Sequence, residues 1–141
     1  MEPGDRPRLD HVGLNVRDLE AMVEWYVSAF GHRVQSRFVL GALDLRIVML
    51  IDDAGRRFEL LARGSGSPGL RAASPVEAAA TWGFGHVAFV VPDLLASYGQ
   101  LVAGGEAAVL APAPSPEAGW WFAWVRDPEG NLVELIGRPP T

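Results

Sequence analysis

Two histidines and two glutamates fall on one internal repeat. His11 and Glu59 are 48 positions apart, His86 and Glu134 are also 48 apart, and each member of the first pair precedes its counterpart by 75 positions. Two neutral imidazoles and two carboxylates make a sound donor set for one divalent metal ion: Ni, Co, Zn, Mn or Fe. They suit calcium less well, because calcium prefers all-oxygen shells. In an octahedral shell four protein ligands leave two positions for water or for two substrate oxygens. A metal so held polarises a carbonyl and stabilises an enediolate, and a carboxylate at its edge carries the proton. His11, Glu59, His86 and Glu134 are therefore the expected metal ligands, with Glu59 and Glu134 the expected catalytic groups. Taken singly, a strand histidine is usually structural and a strand glutamate usually faces solvent; the repeat is what joins the four.

The repeat extends beyond these four residues. Leu9–Val16 aligns with Phe84–Val91, Asp18-Leu19 with Asp93-Leu94, and Asp52, Gly55 and Glu59 with Asp127, Gly130 and Glu134, with no gap. Two copies of such a unit are too few for a solenoid and imply a duplicated module. Each copy reads as βαβββ. Residues 9–16 alternate as a strand. Asp18 is a natural N-cap for a helix carrying Leu19, Met22, Val23, Tyr26 and Phe30, and Gly31 is its stop. Strands at 33–40, 43–51 and 56–62 follow. The second copy has a strand at 84–91 and a helix capped by Asp93 and ended by Gly104-Gly105. Its further strands lie near 106–111, 119–126 and 131–137. One domain is expected over 8–137, made of a first module (8–62), a Gly/Ser/Pro/Ala-rich linker (63–83) with a short helix near 75–80, and a second module (84–137). Residues 1–7 and 138–141 read as frayed tails.

Strand parity assigns the faces. Val12, Leu14 and Val16 form the face a helix covers, and Val87, Phe89 and Val91 repeat it. Phe58, Leu60, Val133 and Leu135 belong to the same covered set. His11, Glu59, His86 and Glu134 all point the other way, beside the small residues Gly13 and Ala88. Asn15 shares this face and is an expected substrate contact. His32, which has no partner at the repeat offset, reads as a surface residue. Gly83-Phe84-Gly85 precedes a strand and is no phosphate loop.

Composition narrows the class. The chain has 141 residues, a net charge of −5 and no cysteine. Disulfides, thiolate zinc sites and a cysteine nucleophile are excluded. The negative charge argues against nucleic acid or an anionic membrane as partner. No apolar run reaches membrane-spanning length and the N-terminus carries no signal-peptide core, so a cytoplasmic protein is expected.

Over residues 9–137 the pattern resembles the vicinal-oxygen-chelate superfamily, which includes glyoxalase I, methylmalonyl-CoA epimerase, extradiol dioxygenases and bleomycin-binding proteins. The resemblance rests on Asp10-His11-Val12-Gly13-Leu14, Gly83-Phe84-Gly85-His86-Val87-Ala88 and Asp127-Pro128-Glu129-Gly130-Asn131-Leu132-Val133-Glu134-Leu135. It implies an α+β fold: two tandem βαβββ modules forming a cupped, mostly antiparallel sheet with helices on the outer face. It also implies a metal held from the first and fourth strands of each module. The His/Glu/His/Glu set is most similar to bacterial glyoxalase I. By analogy with the family's hairpin, Trp120, Phe122 and Trp124 face the metal, and their first-module equivalents include Met49. With Asn15, these four are the expected substrate-binding residues. An apolar or aromatic wall suits a small apolar substrate and suits glutathione poorly, since Arg33, Arg37, Arg46 and Arg57 form no convincing carboxylate-binding set.

The expectation is a metal-dependent isomerase, epimerase or lyase acting on a small molecule with two adjacent oxygens. The resemblance further implies a homodimer. A drug-sequestering protein of the bleomycin-resistance type is the first alternative. A ring-cleaving Fe(II) dioxygenase using His11, His86 and Glu134 is the second; a fourth carboxylate would occupy a position that oxygen chemistry needs open. The tryptophan-rich strand is open to a simpler reading as core or as a dimer contact.

Overall fold

A computed structural model of the chain describes residues 7–141, so of the N-terminal tail expected at 1–7, residues 1–6 lie outside the described part. The first module runs β1 (His11–Val16), α1 (Leu19–Phe30), β2 (Arg33–Leu40), β3 (Leu45–Ile51) and β4 (Arg57–Arg63). After α2 (Pro75–Ala78), the second runs β5 (His86–Val90), α3 (Leu94–Leu101), β6 (Ala108–Pro114), β7 (Trp121–Arg126) and β8 (Leu132–Gly137). The fold is α+β, with the same βαβββ order twice. Each module forms a four-stranded mixed sheet, ordered β1-β4-β3-β2 and β5-β8-β7-β6. The first strand of each pairs parallel to the fourth, and the remaining pairings are antiparallel.

The helices start where the sequence caps them. Asp18 accepts a hydrogen bond from the Ala21 amide at 3.1 Å, and Asp93 accepts one from Ala96 at 2.9 Å. Gly31 ends α1 in the left-handed region at φ 66°. Leu19, Met22, Val23 and Tyr26 recur at helical spacing and are buried; the Tyr26 ring meets Phe58 of β4 edge-on, centroids 4.9 Å apart. Phe58 and Leu60, with Val48 and Leu50 opposite them in register, form the buried layer of the first sheet. Val133, Leu135, Val125 and Ala123 do so in the second. α3 lies so close to β8 that a Cβ on Gly137 would stand 2.9 Å from the Leu94 Cβ.

Several boundaries differ from the sequence-based expectation. β3 begins at Leu45 because Gly41–Leu43 form a 3-10 turn closed by Asp44 at φ 50°, whose carboxylate accepts the Gly64 amide at 3.0 Å. β6 runs on to Pro114; its edge position lets Pro112 and Pro114 sit in a strand. α3 ends at Leu101 and Leu95 is exposed. Val12, expected to be covered, is 38% exposed near the start of β1. His32 is a further correction: it is 6% exposed, and burial pushes its imidazole below the usual range.

The chain divides into two compact units, one of residues up to Val27 with Gly31–Gly66, the other of Ser28–Phe30 with Ser67–Thr141. Most of the linker thus groups with the second unit. Ala72 and Ala78 pack with Trp124 and Leu132, and the Arg126 guanidinium donates to the carbonyls of Ala72 at 2.6 Å and Gly130 at 3.1 Å. Arg71 donates to the carbonyl of Glu129. Phe30 stacks on Phe89 in the same unit.

Candidate metal centre

In the first unit the parallel register sets Arg57 opposite His11 and Gly13 opposite Glu59. His11 therefore reaches Glu59 diagonally, across a residue with no side chain. Its Nε2 lies 3.2 Å from Glu59 Oε2. A Cβ on Gly13 would stand 3.3 Å from that same oxygen, so glycine keeps the space beside the carboxylate open. The second unit repeats the arrangement, with Leu132 opposite His86 and Ala88 opposite Glu134. His86 Nε2 lies 3.3 Å from Glu134 Oε2.

Two donors on adjacent sites of one cation, each bonded at about 2.1 Å, stand about 3 Å apart in an octahedral shell. Both His–Glu pairs have this separation, and each offers one imidazole nitrogen and one carboxylate oxygen. The residues present thus fit a divalent ion of borderline character. The structure assembles them as pairs: among the described residues there is no group of three or more His, Cys, Asp or Glu side chains placed to hold one metal ion. The Glu134 carboxyl is raised above the usual range, chiefly by burial, with the His86 imidazole opposing.

The surroundings of the two histidines differ. His11 Nδ1 lies 2.7 Å from Asp10 Oδ2. The same oxygen accepts from the Arg57 guanidinium at 2.8 Å, and Arg57 Nε donates to Gln35 Oε1 at 2.9 Å. Asp10 is held below the ordinary carboxylate range, first by the His11 hydrogen bond and also by Arg57. The parity of β4 puts Arg57 on the Glu59 face, but its closure onto Asp10 needed the β1–β4 register. His86 has Gly85 before it and the ring of Trp124 against it, edge to face, centroids 4.6 Å apart.

The expected substrate-binding residues divide. Asn15 is exposed on the β1 face that carries His11. Met49 is opposite Glu59 in register but buried. Trp124 is opposite Glu134 and touches His86, yet is only 5% exposed, because Ala72, Ala78 and Leu132 take up its remaining surface. Met49 and Trp124 are thus both buried. Phe122 packs half-buried against the Trp124 cluster. Trp120 precedes β7, with the Arg138 guanidinium 4.1 Å over its ring. Neither that cation–π contact nor the linker packing on Trp124 is legible in the sequence.

Comparison with known proteins gives the same family. Residues 8–135 match the family described as the glyoxalase/bleomycin resistance protein/dioxygenase superfamily. Biphenyl-2,3-diol 1,2-dioxygenase 3 of Rhodococcus globerulus is 32% identical over 133 residues, covering 92% of this chain; the chain spans only 62% of that enzyme's length. A probable lactoylglutathione lyase of Vibrio cholerae is 25% identical, with 92% of this chain and 89% of that protein covered. A glyoxalase family protein of Bacillus cereus superposes over 99% of both chains with a TM-score of 0.77 at 21% identity, a likeness of fold. Fold order and family match together establish that the chain belongs to the glyoxalase/bleomycin resistance protein/dioxygenase superfamily.

Proposed function

We propose that the chain is a divalent-metal-dependent isomerase, epimerase or lyase of the glyoxalase type, acting on a small molecule with two adjacent oxygens. The observation that carries this reading is the repeated His–Glu pairing, Nε2 to Oε2, at 3.2 Å and 3.3 Å. His11, Glu59, His86 and Glu134 would hold the ion. When bound, a divalent cation supplies Lewis acidity toward the two substrate oxygens and eases proton loss from the neighbouring carbon. Glu59 and Glu134 are the groups able to take and return that proton. Asn15, exposed on the same strand face as His11, is the candidate polar contact to substrate. A homodimer belongs to the same proposal and is checked by sedimentation.

The test is metal content of tag-free protein by mass spectrometry, beside a His11→Ala, Glu134→Ala double variant, with Ni, Co, Zn, Mn and Fe offered to both. About one ion per ligand set in the parent, lost in the variant, is expected. No ion in either protein after add-back rejects the reading. Glu59→Gln and Glu134→Gln should each abolish turnover, and activity surviving both changes removes the proton-shuttle roles. The 32% identity to a biphenyl-diol dioxygenase favours a second reading, catechol ring cleavage with Fe(II). Iron-dependent oxygen uptake with a catechol distinguishes it.

A further inference from the structure

The two histidines are equivalent in the repeat and unlike in their settings. Asp10 contacts His11, Arg57 bonds Asp10, and Gln35 bonds Arg57. The positions 75 residues further on are Gly85, Leu132 and Leu110, none of which can accept or donate through a side chain. Duplication has thus left a polar clamp on one imidazole and an apolar frame, Leu132 and Trp124, on the other.

A neutral imidazole carries one hydrogen, and the group bonded to that nitrogen decides which nitrogen keeps its lone pair. A carboxylate only accepts, so the shorter 2.7 Å contact favours the hydrogen of His11 on Nδ1. The competing contact, Nε2 to Glu59, is longer at 3.2 Å. Asp10 has a 65% exposed side chain, yet it is not loose: Arg57 holds the same oxygen, and Gln35 holds Arg57. We propose that Asp10 is a positioning residue that fixes the hydrogen of His11 on Nδ1, so that the Nε2 lone pair faces Glu59 ready for a cation. Beside His86 the equivalent position is Gly85, which offers no carboxylate. The inference rests on the metal reading above for its consequence, but the tautomer it names is a property of the metal-free protein.

Without Asp10, the Nε2–H form is free to donate to Glu59, which blocks the nitrogen that a metal needs. Partners that orient a ligating histidine in this way are typically worth about tenfold to a hundredfold in metal affinity. The experiment uses metal-free, tag-free protein with nitrogen-labelled histidine at mildly alkaline pH. Long-range proton–nitrogen correlation spectra assign the tautomer, and nickel titration by calorimetry follows on the same samples. The parent is expected to carry His11 as Nδ1–H. Asp10→Ala should move it toward Nε2–H, leave the His86 pattern unchanged, and raise the nickel Kd by about tenfold or more. Asp10→Asn, whose amide oxygen still accepts, should restore most of both. An unchanged His11 pattern in Asp10→Ala overturns the proposal, and so does a changed pattern with undiminished nickel affinity. A parent that takes up neither nickel nor Co, Zn, Mn or Fe rejects the metal reading instead, and the metal-free spectra still decide whether Asp10 sets the tautomer.

Discussion

Glu134 combines two roles that conflict in the metal-free protein. Burial holds its carboxyl above the usual carboxylate range. A carboxyl whose folded pKa lies above its unfolded value, about 4.3 for Glu, contributes stability below that value and loses it as pH rises through the folded value. As it ionises, Glu134 therefore weakens the metal-free fold. Glu134→Gln should raise the Tm of metal-free protein at neutral pH by about one or two degrees, with the gain fading toward pH 4, as read by thermal denaturation across pH. Added metal should raise the Tm of the parent and have little effect on this variant. The proximity of each His to its Glu was legible from parity and from the small residues Gly13 and Ala88. Asp10 was not, because its role depends on Arg57 arriving from a strand almost fifty residues away.

The elements were legible where one residue type does one physical task. Asp18 and Asp93 fall at the same place in the repeat, and both accept the amide three residues on. Asp18→Ala and Asp93→Ala should each cost about 1 kcal/mol in chemical denaturation. Asp52 and Asp127 likewise build matching turns. Asp52 accepts the amides of Ala54 and Arg56, and Asp127 those of Glu129 and Asn131. Strand ends were less legible. Pro112 and Pro114 argue against a strand unless that strand is known to lie at an edge, and edge position is a fact of topology. The 3-10 turn at Gly41–Leu43 is similar, since Asp44 is secured by Gly64, twenty positions on. His32 was misread because a lone polar residue after a helix stop usually meets solvent, whereas here it is enclosed.

At the scale of the whole molecule, the duplicated order was the most legible feature and the linker the least. Its composition suggests free chain, yet Ala72 and Ala78 are buried and Arg71 and Arg126 tie it to backbone carbonyls. Just beyond this docked stretch, Trp82 is 98% exposed and Phe84 is fully so. Chymotrypsin should therefore make its first cut after Trp82 or Phe84, ahead of the buried Trp124, with the site read by mass spectrometry. Among the described residues no helix is long and apolar enough to cross a membrane. The contact between Trp124 and His86 has an optical consequence. An indole shielded from solvent and set 4.6 Å from a candidate ligand is a built-in reporter. Acrylamide will quench the emission of the fully exposed Trp82 long before that of Trp124. The light that survives quenching then carries a larger share from the indole beside His86, and with it a record of what that imidazole holds.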